Sequence, residues 1–357
     1  MNITQSNIKK KYTLHSAWEV CPLKNGGIII HSIYGEIIKI SKVDSLIQKV
    51  IKPLIKDSYV EISGNLNNKE KSRIFSLINN GVLVPVLLDS NDLPNELRNR
   101  FGPVADVFVQ FGAYDPMTRL NRFKAIRDAK VGIIGVGGVG SQIAVMLAAT
   151  GVGYLRIIDG DLTEEKNLTR QIFFTIGDVQ TKKPKVFALK ERIEALTKFT
   201  SVDPCNKMID SPETARKLLA NLDIVILTAD QPRLILQRWV NEVCAHAKLP
   251  VIFTFVDRIG PFFIPGHSAC FACLESKWRE EIGCEYDEIV ENLDPNRPSS
   301  FPSLVSGPSI SANAIFIEVI AFLTGMWTVS TLNQMLIFDY PDFTKVNVPK
   351  MTQCSVC

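Results

Sequence analysis

Four glycines stand close together in GVGGVG, as Gly135, Gly137, Gly138 and Gly140. Asp159 follows nineteen residues after the last of them, Asp161 two further on, and Asn167, Arg170 and Gln171 fall within NLTRQ. A GxGxxG that ends a strand and opens a helix suits an anion. The first glycine allows the tight turn, the second lets backbone approach a phosphate, and the helix N-terminus presents unpaired amides. A carboxylate at the next strand's end, where Asp159 falls, accepts hydrogen bonds from ribose hydroxyls. Up to this point NAD serves as well as ATP. Arg170 and the lysines of KKPK, Lys182, Lys183 and Lys185, break the tie. A nicotinamide dinucleotide keeps its pyrophosphate on the glycine loop and needs no cluster of cations, whereas cleaving a triphosphate develops negative charge that Arg and Lys stabilise. Asp230 ends the apolar run LDIVILTAD, where a parallel sheet places its ligands and a carboxylate can hold Mg2+. The alternatives are a solvated helix start for Lys182 and Lys183, and helix capping for Asp230 if a helix begins at Pro232.

The cysteines carry a second chemistry. Of eight, Cys270 and Cys273 form CFAC, and Cys354 and Cys357 form CSVC. Two distant CxxC pairs in a reducing compartment predict a closed tetrahedral Zn2+ site of four thiolates, structural because no position is left for substrate. Cys21, Cys205 and Cys244 lie in apolar stretches and read as small core residues.

Elements with the right periods surround these residues. From Ala129 onward, apolar strand runs alternate with helical patterns: KVGIIGVG, the helix GSQIAVMLAATG, YLRIIDGD, the helix KPKVFALKERIEAL, LDIVILTAD, the helix RLILQRWVNEVCAHA and PVIFTFV. That alternation predicts an α/β fold, a doubly wound, Rossmann-like, mostly parallel sheet. A charged, Pro-rich stretch from Ser276 to Pro302 reads as a crossover loop, followed by a helix from about Ile310 to Trp327 and late strands around MLIFDY. Residues 1–90 read as a separate winged-helix-like α+β domain, with hairpin turns at Asn25-Gly26-Gly27 and Tyr34-Gly35. Helical spacing follows at Val43, Leu46, Ile47, Val50 and Ile51, and again from Ile74 to Ile78, with Gly81 placed to end the second helix. Residues 91–128 serve as linker and N-terminal helices of the core, and 129–357 as the core itself.

Composition excludes several classes. The chain of 357 residues is 46% hydrophobic and 22% charged with a net charge of +3, too small an excess for a nucleic-acid or anionic-membrane binder. The N-terminus lacks the apolar core of a signal peptide, and Glu318 interrupts the most apolar late segment, Ala314 to Trp327. The expectation is a cytoplasmic protein with no membrane span.

GxGGxG, the following D-x-D, N-L-x-R-Q, P-K, the strand-ending A-D and the two CxxC pairs, in this order over residues 129–357, resemble the ThiF and MoeB adenylating enzymes, relatives of the ubiquitin-activating enzymes. The resemblance implies an ATP-dependent adenylyltransferase that joins a carboxylate to the α-phosphate of ATP and releases pyrophosphate. It implies Asp159 on the ribose, Arg170 and Lys185 on the phosphates, Asn167 and Gln171 shaping the same pocket, and Asp230 on Mg2+. It further implies a homodimer in which an arginine before the first strand reaches the partner's site; Arg98 and Arg100 in LRNRFG are the matching candidates.

The N-terminal module sets the substrate expectation. It resembles the leader-recognition domains of enzymes that modify ribosomally made peptides, and TADQPRLILQRWVN and PFFIPGHSACFAC resemble the peptide-modifying branch found in microcin C and pantocin A biosynthesis. The expected partner is a precursor peptide whose leader adds a strand to a sheet edge, with Gly27 to Ile40 offering that edge. Two other readings compete. An activating enzyme for a ubiquitin-like sulfur carrier needs a nucleophilic cysteine, and Cys284 in EEIGCEYDE sits among acids that make it a poor one. A non-catalytic leader-binding scaffold has no use for Asp159, Arg170, Lys185 and Asp230 together.

Overall fold

A computed structural model describes residues 10–15, 18–24, 27–33, 35–40, 47–54, 59–62, 67–86, 93–111, 113, 116–294, 303–339 and 342–357. The chain divides into two compact units, Met1–Lys124 and Ala125–Cys357.

The strands of the first unit are β1 (Lys10–Leu14), β2 (Trp18–Pro22), β3 (Ile28–Ser32), β4 (Ile37–Ile40), β5 (Val60–Ile62) and β6 (Leu83–Pro85). They form two antiparallel three-stranded sheets, ordered β5-β1-β6 and β2-β3-β4. Side chains alternate with period two. Trp18, Ile28 and Ile30 enter the core, while Glu19, Cys21 and His31 face outward. The helix Asn68–Asn79 closes that core with Ile74 and Ile78, one turn apart. Its start is held by a capping box between Asn67 and Glu70, and Gly81 at φ +67° follows its end, as its position in the sequence predicts. Two expectations change. β3 is the middle strand of its sheet, so of the run Gly27 to Ile40 only β4 offers a free edge, with β2 the other. Cys21 is exposed on β2, because alternation there points Trp18 and Val20 inward and Cys21 out. Asn25, Gly26 and Tyr34 of the expected turns, and Val43 and Leu46 of the first helix pattern, lie outside the described residues.

The second unit is built on β7 (Lys130–Ile134), β8 (Tyr154–Ile158), β9 (Ser201–Cys205), β10 (Ile224–Leu227), β11 (Val251–Thr254), β12 (Arg258–Phe263), β13 (Gln334–Asp339) and β14 (Asp342–Asn347). They form one sheet in the order β14-β13-β12-β11-β10-β7-β8-β9. The run from β11 to β9 is parallel, and β12, β13 and β14 extend it antiparallel. Every residue of β10 and β11 is buried, which is why both read as unbroken apolar runs. Burying each of their Val, Ile, Leu and Phe side chains stabilises the fold by about 1.5–3 kcal/mol. The strand order reverses between β7 and β10, and an open α/β sheet leaves its ligand crevice at such a switch point, beyond the carboxyl ends of the strands.

The late helix runs from Ser306 to Thr324, four residues earlier than its apolar pattern suggests. By length and composition alone it could cross a membrane. In this unit its Ala312, Ile315 and Val319 are buried, and the Glu318 carboxylate accepts hydrogen bonds from the backbone and hydroxyls of Ser330 and Thr331 at 2.6–3.1 Å. The segment expected as an irregular crossover carries the helices Phe271–Ile282 and Glu285–Glu291, while residues 295–302 lie outside the described residues.

Candidate active site

Beyond the carboxyl ends of β7, β8 and β10 lies a cleft of about 380 Å³. The glycine loop forms its floor, and each glycine there has a different reason. Gly135 adopts φ +85°, and a Cβ on it would lie 2.7 Å from the Ala229 nitrogen, so the turn admits no side chain. A Cβ on Gly140 would fall 1.9 Å from the Gly135 carbonyl oxygen, so this glycine lets the helix Gly138–Thr150 pack against the loop. At Gly137 the nearest atom to such a Cβ is the Gln171 Nε2, 3.6 Å away. The space above Gly137 is therefore open toward the cleft, beside a helix N-terminus that no side chain caps.

Asp159 is buried, and its carboxylate ties the loop together. Its Oδ2 accepts from the Val136 N–H and its Oδ1 from the Asp161 N–H, each at 2.8 Å. Burial pushes its pKa up, against the pull of the Lys185 ammonium and these backbone donors. Each oxygen keeps a further lone pair for a hydroxyl donor. Lys185, 5% exposed, opens the helix Lys185–Leu196 and places its Nζ 2.7 Å from the Asp161 carboxylate. NLTRQ folds as a tight turn around buried Asn167, whose carbonyl accepts from both the Arg170 and Gln171 N–H and whose side chain accepts from the Glu164 N–H. That turn brings half-buried Arg170 and buried Gln171 to the cleft wall. The Gln171 Oε1 is buried and has no hydrogen-bond partner among the described residues.

Gly135, Gly137, Gly138, Asp159, Asp161, Asn167, Arg170, Gln171, Lys185 and Asp230 line one cleft, with Gly140 packed beneath it. Lys182 and Lys183 do not join them: Lys183 bonds Glu191 at 2.7 Å, and Lys182 occupies the left-handed turn before it. The cations that do line the cleft besides Arg170 and Lys185 are Lys166 and Lys207, which the sequence reading did not single out. Lys207 follows β9, a strand whose sequence SVDPC carries no strand signal. Asp230 is exposed at the cleft mouth, and the helix after it begins at Ile235 with Leu234 at its cap position, not at Pro232. Phe255 and Val256 add an apolar wall on the β11 side.

A second cluster joins the start of the helix Phe271–Ile282 to the residues 351–357. The Cys270 and Cys354 sulfurs are 3.6 Å apart, Cys273 and Cys357 3.6 Å, and Cys270 and Cys273 4.0 Å. All four sulfurs lie within 4.8 Å of one another. Zn–S bonds of about 2.3 Å set the edge of a thiolate tetrahedron at about 3.8 Å, so the cluster fits a zinc ion. The Cys270 thiol and the Met351 N–H both hydrogen-bond the Cys273 sulfur, and hold its thiol well below the ordinary cysteine range. The N–H groups of Val356 and Cys357 point at the Cys354 sulfur in the same way. Cys244 is fully buried, Cys205 half-buried, and Cys284 exposed at the start of the helix Glu285–Glu291.

Comparison with known proteins agrees with this geometry. The sulfur carrier protein ThiS adenylyltransferase of Bacillus subtilis is 32% identical over 157 residues, 42% of this chain and 45% of that protein. The molybdopterin-synthase adenylyltransferase of Escherichia coli is 28% identical over 161 residues, 44% of this chain and 63% of that protein. The chain thus spans about half to two-thirds of the length of these curated relatives. Among solved structures, Escherichia coli MccB with ATP superposes with a TM-score of 0.70 at 24% identity, covering 97% of this chain and 99% of that one. PaaA follows with a TM-score of 0.66 at 21% identity, covering 94% and 99%. At these identities the likeness is one of fold. The ThiF family model matches residues 114–356, spanning the glycine loop, the cation-lined cleft and three of the four cluster cysteines, and the chain belongs to the ThiF family.

Proposed function

We propose that this chain is an ATP-dependent adenylating enzyme that activates a carboxylate of a ribosomally made precursor peptide. The observation that carries the nucleotide is the cleft floor: an unfilled space above Gly137 beside an uncapped helix N-terminus, with Arg170 and Lys185 alongside. Asp159 accepts the ribose hydroxyls while it holds the Val136 amide. The attacking carboxylate oxygen bonds to the α-phosphorus, the bond to the bridging oxygen breaks, and pyrophosphate leaves with its electrons. Lys185, steadied by Asp161, and Arg170 stabilise the charge that develops on the departing phosphates. Asp230 at the cleft mouth would hold Mg2+, which supplies further neutralisation of that charge. Zinc on the four cysteines is structural and leaves no open position.

The peptide substrate rests on coverage. The sulfur carrier protein adenylyltransferases of Bacillus subtilis and Thermus thermophilus match 42% and 65% of this chain, whereas MccB follows 97% of it, including the first unit, and MccB is known in complex with N-formylated MccA. Residues 1–90 act as the leader-binding domain, 91–128 join it to the core, and the enzyme works in the cytoplasm as a homodimer in which Arg98 or Arg100 reaches the partner's cleft. The second reading, activation of a ubiquitin-like sulfur carrier, is favoured by the names of the curated relatives.

The test incubates the intact chain with ATP, Mg2+ and a synthetic peptide encoded beside its gene, and measures AMP and pyrophosphate. Asp230→Ala should abolish Mg2+-dependent turnover without lowering the melting temperature, because an exposed carboxylate after the end of β10 contributes little packing. Tight calorimetric binding of NAD with none of ATP overturns the nucleotide assignment. Consumption of a ubiquitin-like carrier, with the peptide left unreacted, transfers the substrate to the second reading.

A further inference from the structure

The outward face of the sheet β2-β3-β4 gathers three side chains that the adenylation chemistry does not use. Glu19 and His31 are directly opposite in the β2–β3 register, and Cys21, paired with Ile29, lies diagonal to His31 on the same face. The His31 Nε2 is 3.4 Å from the Glu19 Oε2 and 3.5 Å from the Cys21 Sγ, and the three donor atoms all lie within 4.8 Å of one another. An imidazole nitrogen at about 2.05 Å, a thiolate at about 2.3 Å and a carboxylate oxygen at about 2.0 Å from one zinc ion would be separated by about 3.3–3.6 Å at tetrahedral angles. The two separations from His31 are those of a coordination shell.

We propose that Glu19, Cys21 and His31 form a second metal site, one that takes a zinc-class divalent cation through three protein ligands and leaves the fourth position open. The donor set selects the metal. Thiolate with imidazole suits Zn2+ over the hard cations Mg2+ and Ca2+, and one thiolate with one carboxylate balances the ion's charge. The inward neighbours Trp18, Ile28 and Ile30 fix the strands from the other side, so the face is presented on a packed sheet. Cys21 and Glu19 are exposed and His31 half-buried, so the open position faces solvent. The site differs from the four-cysteine cluster in kind: that one closes its shell, and this one exchanges. It is independent of the nucleotide cleft and of the substrate assignment.

The experiment uses the intact chain, stripped of loosely held metal by gel filtration while the four-cysteine site keeps its ion. Titration with Zn2+ against a chromophoric chelator should reveal one additional equivalent. Titration with Co2+ should give a sulfur-to-cobalt charge-transfer band. Cys21→Ser and His31→Ala should each weaken that equivalent by more than the ~10–100-fold typical of losing a supporting partner, and Cys21→Ser should abolish the band. Glu19→Gln should weaken it less, and Cys284→Ser, which changes the other exposed thiol, should leave it intact. Because all three ligands point outward, the melting temperatures of the metal-free variants should match that of the parent. No additional equivalent, or one that survives both Cys21→Ser and His31→Ala, overturns the proposal and leaves only an ion pair and a thiol hydrogen bond.

Discussion

Gly137 and Gly140 are three residues apart and should fail differently when given a side chain. A methyl on Gly140 must displace the Gly135 carbonyl and the Thr228 hydroxyl, atoms that define the loop. Overpacking of that kind costs about 1–3 kcal/mol, so Gly140→Ala should lower the melting temperature by several degrees, at about 2–4 °C per kcal/mol for a unit of this size. A methyl on Gly137 meets nothing closer than 3.6 Å, so Gly137→Ala should melt like the parent while ATP affinity falls about tenfold or more, because the methyl occupies the anion's place. Calorimetric melting and ATP titration on the two variants separate the effects; equal loss of stability in both contradicts this assignment. Asp159 adds a pH signature. Its pKa is raised by burial, so acidification protonates it before ordinary carboxylates near about 3.9. The protonated form has lost the charge that attracts ribose hydroxyl donors, so ATP affinity should climb with pH through that raised value and level off above it, with a proton released on binding on the acid side. Isothermal titrations in buffers of different ionisation enthalpy report that proton, and Asp159→Asn should bind ATP more weakly with the pH dependence gone.

Strands and helices were legible where burial on both sides or amphipathic period dominated the local sequence. β7, β8, β10 and β11 and the helices between them read correctly because parallel strands covered on two faces need unbroken apolar runs. β9 escaped because it is the sheet's edge strand: an edge tolerates Pro204 and polar Asp203, which argue against a strand when seen alone. β12 escaped because Gly260-Pro261 interrupts its apolar pattern; Gly260 adopts φ +97°, and a Cβ there would lie 2.5 Å from the Gln334 carbonyl oxygen, so only glycine fits. The missed strand explains the missed cation: without β9 nothing in the sequence carries Lys207 to the cleft. Lys183 was drawn to the site by proximity in sequence, but its pairing with Glu191 two turns along the next helix is a contact that spacing alone does not rank. The four-cysteine cluster needed no elements at all, since two CxxC pairs specify their own geometry. Its prediction belongs to the elements it joins. One zinc per chain should remain through purification without chelator, and its removal should release residues 351–357 from the helix Phe271–Ile282. Hydrogen exchange should then rise in that segment, and the melting temperature should fall. Cys354→Ser should reproduce both effects, whereas Cys284→Ser should change neither. A chain that retains no zinc yet keeps the segment protected counts against the assignment.

The described residues that line the nucleotide cleft, from Ile134 to Pro308, belong to the second unit, and residues 1–88 supply none of them. The first unit has two sheets, a capped helix and its own core, and under the proposed function it serves the peptide rather than the phosphates. Under that proposal, a leader bound there would hold the reacting carboxylate near the α-phosphate and turn a bimolecular encounter into an intramolecular one, with an effective concentration on the order of mM. β2 and β4 carry the free edges of their sheet, so the leader should add as a strand to one of them through main-chain hydrogen bonds, with outward side chains supplying selectivity. Removal of residues 1–88 should therefore leave ATP affinity within about twofold and lower kcat/KM for the full-length precursor by roughly 10²–10⁴. A precursor stripped of its leader should react equally slowly with both forms. Free leader peptide added in trans should inhibit the intact chain competitively and leave the shortened chain untouched, a comparison that still reads out if the deletion costs some stability. If the unit instead only enlarges a dimer interface, the deletion should change the oligomeric state measured by ultracentrifugation while free leader inhibits neither form. Equal processing of the full-length precursor by the two forms would remove the leader from the first unit altogether.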